Sequence, residues 1–419
     1  MHVLSLTFRN IVDEGRIGWV LKALLLENIH PSAVSRLKSR GFEVETLSGA
    51  LDEDELIARL PGVNVLGIRS KTNVTERVLE NAPDLLTVGA FCIGTNQIAL
   101  HEAARRGITV FNAPYSNTRS VVELVIGELI LLMRHIPAHD RKMHDGIWDK
   151  SAEGSHEVRG HTLGIIGYGN IGAQLSVLAE ALGMRVIFYD IQEKLALGNA
   201  ERKHTMDEVL AEADVVTLHV DGRPENTNFF GAHEFTQMKE GAKFLNISRG
   251  FVVDLNALCD ALATGHLGGA AIDVYPKEPK KKGEHFESPL TQFPNVILSP
   301  HIGGSTLEAQ HSIGEFVSSK IIDYVKEGKT ELSVNVPGVT LPQWHDGLHR
   351  ITFLHKNVPG VLAKINRLFG DLDVNIDSQV LGTWGDIGYV VSDVSAWVDE
   401  KVLDALRAMP ESLSVRVMG

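Results

Sequence analysis

Apolar and polar positions switch repeatedly between two periods along this chain. Helix-like spacing over 32–40 and 52–60 trades with short apolar runs over 43–46 and 65–69. Helices alternating with buried strands through short Gly, Pro and Asn connections imply a parallel sheet covered on both faces. Further strands are expected at 86–90 and 109–111, the second stopped by Asn112-Ala113-Pro114. Residues 1 to about 115 read as one α/β unit. An apolar helix from 118 to about 135 leads out of it into a polar segment, 137–160, where Trp148 stands among charged residues. Such a Trp either packs on a neighbouring subunit or folds back on its own domain. The rhythm returns over 161–300, with strands expected at 163–166, 186–189, 215–219, 243–247 and 296–298. A helix over 306–327 ends at Gly328, and the irregular stretch through Pro337-Gly338 and Leu341-Pro342 reads as a linker. Residues 349–419 then run strand, helix, strand, strand, helix, strand, the ferredoxin-like order.

Composition narrows the class. With 419 residues, 44% hydrophobic and 22% charged, the chain is globular and long enough for several domains, which removes collagenous, coiled-coil and disordered readings. A net charge of −13 argues against nucleic acid, so an anionic ligand must be held by locally placed cations. Cys92 and Cys259 lie in apolar segments without C-x-x-C spacing, which points away from disulfides and metal sites and toward a reducing cytoplasm. The start, Met1-His2-Val3-Leu4, lacks the pattern of a secretory signal. The most apolar stretch, 121–133, contains Glu123 and Glu128 and falls short of the ~20 residues of a membrane span, so no membrane association is expected.

The strongest local signal is an apolar strand running into Gly167-Tyr168-Gly169-Asn170-Ile171-Gly172 and on into a helix over 173–182. In that context the first glycine permits the tight turn, the second lets backbone amides approach a pyrophosphate, and the third allows close helix–strand packing. The helix N-terminus adds partial positive charge. The next strand ends in Asp190, a carboxylate suited to both hydroxyls of an adenosine ribose and repelling a 2′-phosphate. NAD is therefore expected over NADP.

Three further segments follow strands of the same domain and hold polar residues where packing alone has no use for them: Asn246-Ile247-Ser248-Arg249-Gly250, the stretch 271–279 and the stretch 298–306. Open α/β sheets place chemistry at such strand ends. Moving a hydride between a secondary alcohol and nicotinamide needs a base for the hydroxyl proton, a cation for the neighbouring carboxylate, and a group fixing the tautomer of the base. His301, Arg249 and Glu278 match these needs.

These residues, with the segments IRSKTNVTE, GAFCIGTNQ, FNAPYSNTRSVVELVIGELI, GAAIDVYPKEP and SPHIGGST, carry a resemblance. The chain is similar over nearly its whole length to the D-isomer-specific 2-hydroxyacid dehydrogenases, in the form with a C-terminal ACT domain. The resemblance implies a Rossmann-type NAD domain, 116–302, inserted in a flavodoxin-like substrate domain, 1–115 and 303–340, followed by a ferredoxin-like ACT regulatory domain, 349–419. It implies oxidation of 3-phosphoglycerate to 3-phosphohydroxypyruvate, the first step of L-serine biosynthesis, with Arg249, Glu278 and His301 catalytic and Asp273 added to the cofactor residues. Arg69, Ser70, Lys71 and the Ser116-Asn117 turn are implied to meet the substrate. A glycerate-type hydroxyacid dehydrogenase and an NAD-sensing co-regulator are the competing readings. The ACT segment implies an L-serine effector site at His355, Asn357 and Asn375, acting through domain closure in a homotetramer built on ACT and nucleotide-domain contacts. Lys356, where an acid is common, and Asp346-Gly347, where Gly-Gly is common, depart from the pattern; turn chemistry is the plainer role for Asn357.

Overall fold

The computed structural model describes residues 11–13, 16–18, 21–279, 283–342, 344, 347–395, 398 and 400–418. The segment judged for a secretory signal and Asp346 lie outside them. The chain divides into two units, Met1–Pro114 with Gln310–Gly419, and Tyr115–Ala309.

In the first unit a short antiparallel pair, β1 (Ile11–Asp13) and β2 (Arg16–Gly18), precedes a five-stranded parallel sheet. Its strands are β3 (Leu21–Leu25), β4 (Phe42–Thr46), β5 (Val65–Ile68), β6 (Thr87–Ala90) and β7 (Thr109–Phe111), in the flavodoxin-like order β4-β3-β5-β6-β7. Strand β3 is absent from the sequence reading. Its Leu-Lys-Ala-Leu-Leu run favours helix by propensity, and only burial between β4 and β5 makes it a strand. Sequence-local caps set the helices: Asp52 and Glu55 form a reciprocal capping box at Glu53–Arg59, and Thr75 caps Glu76–Glu80.

The second unit is a seven-stranded parallel sheet: β8 (Thr162–Ile166), β9 (Arg185–Tyr189), β10 (Glu201–Arg202), β11 (Val215–Leu218), β12 (Lys243–Asn246), β13 (Gly269–Ile272) and β14 (Val296–Leu298). The order β10-β9-β8-β11-β12-β13-β14 is the doubly wound dinucleotide-binding arrangement. The Thr118–Met133 and Asn170–Ala181 helices bury Val121, Val125 and Leu129 with Leu175 and Ala179 against one face. Strand β13, Gly-Ala-Ala-Ile, was not among the expected strands because its small residues carry no β signal. In the polar segment expected over 137–160, His135 turns the chain at φ 51, and Ile136–His144 forms a further helix without any buried residue. Trp148 beyond it is 79% exposed.

The C-terminal domain, in the first unit, contains β15 (His349–Lys356), β16 (Ile376–Trp384), β17 (Ile387–Val394) and β18 (Ser412–Met418), an antiparallel sheet in the order β16-β17-β15-β18. One face packs on helices Val361–Asp371 and Glu400–Arg407 through Ile351, Phe353, Ile365, Phe369 and Leu403. The other face seats Leu354, Tyr389 and Val391 on Ala104, Val336 and Val339. Arg350, fully buried, forks onto Asp393 at 2.7 and 2.9 Å and donates to the carbonyls of Glu327 and Pro342. Arg416 donates to Val325 O, and Tyr389 Oη to Gly328 O, so the sheet caps the C-terminus of the Leu307–Glu327 helix. The expected linker is likewise packed: buried Asn335 accepts from Val110 N and donates to Ile108 O, each at 2.8 Å.

Candidate active site

The glycine-rich turn after β8 takes the shape that its spacing predicts. Gly167 has φ 93, and a Cβ there would lie 2.7 Å from His219 O; a Cβ on Gly172 would collide with the carbonyl of Gly167. Gly169 faces open space at the N-terminus of the Asn170–Ala181 helix. A cleft of about 620 Å³ opens there, lined by Gly169, Asn170 and Ala173 with Arg119, Lys194 and Leu197. Backbone amides, a helix N-terminus and two cations suit a dinucleotide phosphate. Tyr168 turns inward instead, stacked 3.6 Å from the Phe188 ring with its hydroxyl 2.6 Å from Ser176 Oγ. Ile171 packs against the apolar cluster beneath the turn. Asp190 accepts from Tyr168 N and Gln192 N, each at 2.8 Å, locking the β9 end to the turn while its half-buried carboxylate retains lone pairs for further donors.

Arg249 follows β12 on a turn fixed by Asn246, whose Oδ1 accepts from Ser248 N and whose amide donates to Arg249 O. Gly250 is required next because any Cβ would run into the backbone of Tyr275 and Pro276. His301 follows β14 at φ 55, a left-handed conformation that His tolerates better than most residues. Its Nδ1 lies 3.0 and 2.9 Å from the two Glu278 carboxylate oxygens. Burial pushes the Glu278 carboxyl up, but the His301 hydrogen bond and charge, Tyr275 N–H and Arg249 outweigh it and hold the group below its usual range. With Nδ1–H donated to an anion, Nε2 is left as the basic nitrogen.

Asp273 lies behind this turn, fully buried, accepting from Ser299 Oγ at 2.6 Å and from the amides of Ile302 and Gly303 at 2.8 Å each. Asn117 packs against Gly304, with its Oδ1 buried and unpartnered among the described residues. Ser120 Oγ and Thr306 Oγ1, 2.8 Å apart, tie the same helix start to the segment.

Arg69, Ser70 and Lys71 lie in the other unit, on the loop after β5. A residue that sequence reasoning missed organises this loop: buried Glu27 accepts from the amides of Arg69, Lys71 and Thr72 at 3.2, 3.1 and 2.9 Å. In the C-terminal domain His355 is buried at the end of β15. Its Nδ1 is 2.8 Å from Lys356 O, and Nε2 has no partner among the described residues. Burial holds its imidazole below the usual value. Asn357 donates to Gly385 O at 3.0 Å, a turn contact, and Asn375 is exposed.

No helix among the described residues is long and apolar enough to cross a membrane, and no group of three or more His, Cys, Asp or Glu among them is placed to hold a metal. Residues 126–303 match the model of the D-isomer specific 2-hydroxyacid dehydrogenase NAD binding domain, and 351–414 match an AHAS small subunit-like ACT domain. D-3-phosphoglycerate dehydrogenase of Escherichia coli (strain K12) is 50% identical over 401 residues, covering 95% of this chain and 97% of the relative. The enzyme of that name from Dictyostelium discoideum is 46% identical over 398 residues, with the same coverages. A solved structure from Thermus thermophilus superposes with a TM-score of 0.67 at 30% identity, covering 73% of this chain and 97% of that one.

Proposed function

The chain belongs to the D-isomer-specific 2-hydroxyacid dehydrogenases, NAD-dependent oxidoreductases, and from that premise we propose that it oxidises 3-phosphoglycerate to 3-phosphohydroxypyruvate at the start of L-serine synthesis. The observation that carries the reading is the His301–Glu278 pair on a backbone turn held by Asp273, in the same domain as Arg249. The amides of 167–172 and the N-terminus of the Asn170–Ala181 helix would hold the pyrophosphate of NAD and Asp190 its adenosine ribose, and the bound cofactor would supply the acceptor for the C2 hydride.

His301 takes the proton of the C2 hydroxyl at Nε2, and the imidazolium so formed is stabilised by Glu278 on Nδ1. The carboxylate anchors Nδ1–H and so sets the neutral tautomer whose free nitrogen is Nε2. Arg249 clamps the substrate carboxylate with its guanidinium fork. Asn117 borders the substrate, and Arg69, Ser70 and Lys71 take the phosphate, with backbone geometry set by Glu27. The ACT domain binds L-serine near His355, Asn357 and Asn375 and slows turnover by restricting domain closure. The enzyme works as a cytoplasmic homotetramer, assembled through ACT and nucleotide-domain contacts, the latter including the Trp148 segment.

The test is NADH oxidation with phosphohydroxypyruvate, with and without serine, alongside His301→Asn. Turnover suppressed by serine, and a His301→Asn variant ~10²-fold slower in kcat with NADH affinity retained, are expected. Turnover confined to hydroxypyruvate or glyoxylate refutes the phosphorylated substrate, and NADH binding without any turnover refutes the enzyme reading.

A further inference from the structure

The turn presenting His301 is braced from behind by two acids, one of which, Glu128, has no part in the chemistry described above. Asp273, at the end of β13, receives the amides of Ile302 and Gly303. Glu128, on the Thr118–Met133 helix, is 3% exposed. Ser299 stands between them, its Oγ 2.6 Å from Asp273 Oδ1 and 3.3 Å from Glu128 Oε1.

A serine hydroxyl has one proton to give. The shorter contact is with Asp273, a carboxylate already drawing two backbone N–H groups, and it takes that proton. Glu128 Oε1 then meets a lone pair, a contact that is favourable only when Glu128 itself supplies the hydrogen. Its second oxygen, Oε2, is buried without a partner among the described residues, which is tolerable for a carboxylic acid and costly for a carboxylate. Independently, burial and then the Asp273 charge push the Glu128 carboxyl up to about 7, against the Ser299 contact.

We propose that Glu128 is a positioning residue: held as a neutral acid, it donates to Ser299, orders the Ser299–Asp273 pair, and so fixes the 302–303 backbone that presents His301. The proposal rests on the reading of His301 as the base. Among the described residues, the titratable groups facing Glu128 are Asp273 and Tyr275, both from the segment after β13. Tyr275 is engaged elsewhere, its Oη 2.8 Å from Ile272 O and 3.0 Å from Ser299 O. Once Glu128 loses its proton, two carboxylates compete for one hydroxyl proton, and the new charge is relieved only by opening the turn or admitting solvent. The brace is tight: a Cβ on Gly303 would lie 2.9 Å from Ile247 Cγ2 and 3.2 Å from Asp273 Oδ2.

Glu128→Gln keeps the shape and a donor but cannot ionise, and Glu128→Leu keeps bulk without a donor. Infrared difference spectra of the full-length protein at pH 6, wild type minus Glu128→Gln, should contain the C=O stretch of a protonated carboxyl. At pH 6, where Glu128 carries its proton, kcat for phosphohydroxypyruvate reduction in Glu128→Gln should stay within ~3-fold of wild type, because the amide keeps a donor to Ser299. Glu128→Leu should lose ~10-fold or more in kcat with little change in NADH affinity. Absence of the carboxyl band, or a Glu128→Leu variant with wild-type kcat, overturns the proposal. A wild type that reduces no 2-oxo acid overturns the His301 reading instead, while the infrared band still reports the state of Glu128.

Discussion

Asp393→Ala strips the carboxylate from Arg350, whose side chain is 1% exposed and whose Nε and Nη2 both donate to it. Two carbonyls, of Glu327 and Pro342, remain within reach of the guanidinium, too few for its five N–H groups and unable to balance its charge. Removing one partner of a buried ion pair costs ~3–5 kcal/mol. Replacing both by apolar groups, Arg350→Met with Asp393→Leu, removes the stranded charge and leaves the two lost carbonyl contacts and that of Ser378 Oγ with Asp393, about 1 kcal/mol each. The single variant should therefore be less stable than the double. Trp344, with the Arg350 guanidinium 5.3 Å from its ring, reports the local transition by fluorescence in urea. A single variant that costs less than about 1 kcal/mol, or a double variant that costs more than the single, refutes the reasoning.

Three shorter tests address cofactor, effector and proton linkage. Wild type should prefer NADH over NADPH, with the preference reduced in Asp190→Ala; equal use of both by wild type removes Asp190 from the selection. Asn357→Ala should relieve serine inhibition with little change in the uninhibited rate, and an unaltered inhibition curve places the effector elsewhere. Glu128 titrates near 7 when folded and at ~4.3 when unfolded, so the folded state holds the extra proton between those values and stability declines as pH rises across that window. The decline amounts to about 4 kcal/mol at most, and denaturation against pH should show it flattened in Glu128→Gln.

Much of the fold was readable because its signals are local. Gly167, Gly169 and Gly172 stand at spacings that only a tight strand-to-helix turn requires, and the capping pair Asp52 and Glu55 lies within one helical turn. Strand β3 was hidden because its Leu-Lys-Ala run owes its conformation to neighbours distant in sequence. Glu27 escaped notice, and Glu128 was read only as an interruption of an apolar run, for a related reason: an acid in a helix or loop resembles a solvated surface group until tertiary contacts bury it. Asp273 entered the cofactor set only through the family resemblance; its bonds to the amides of Ile302 and Gly303 have no local signal, because the partners lie about thirty residues away. Asn335 sat in what reads as a linker, since nothing local announces its bonds to Val110 and Ile108.

The carboxylate of Glu27 has a consequence for ionic strength. It occupies the amides of Arg69, Lys71 and Thr72, so a phosphate bound at this loop, as proposed, would meet mainly side-chain cations. Recognition through exposed point charges is screened by salt, with a Debye length of ~10 Å at 0.1 M and ~3 Å at 1 M, whereas short hydrogen bonds are much less affected. On a protein of net charge −13 that screening also softens the general repulsion of an anionic substrate, so the two effects oppose each other. Affinity for a phosphorylated hydroxyacid should therefore pass through an optimum in salt, and replacing Lys71 by Gln should move that optimum.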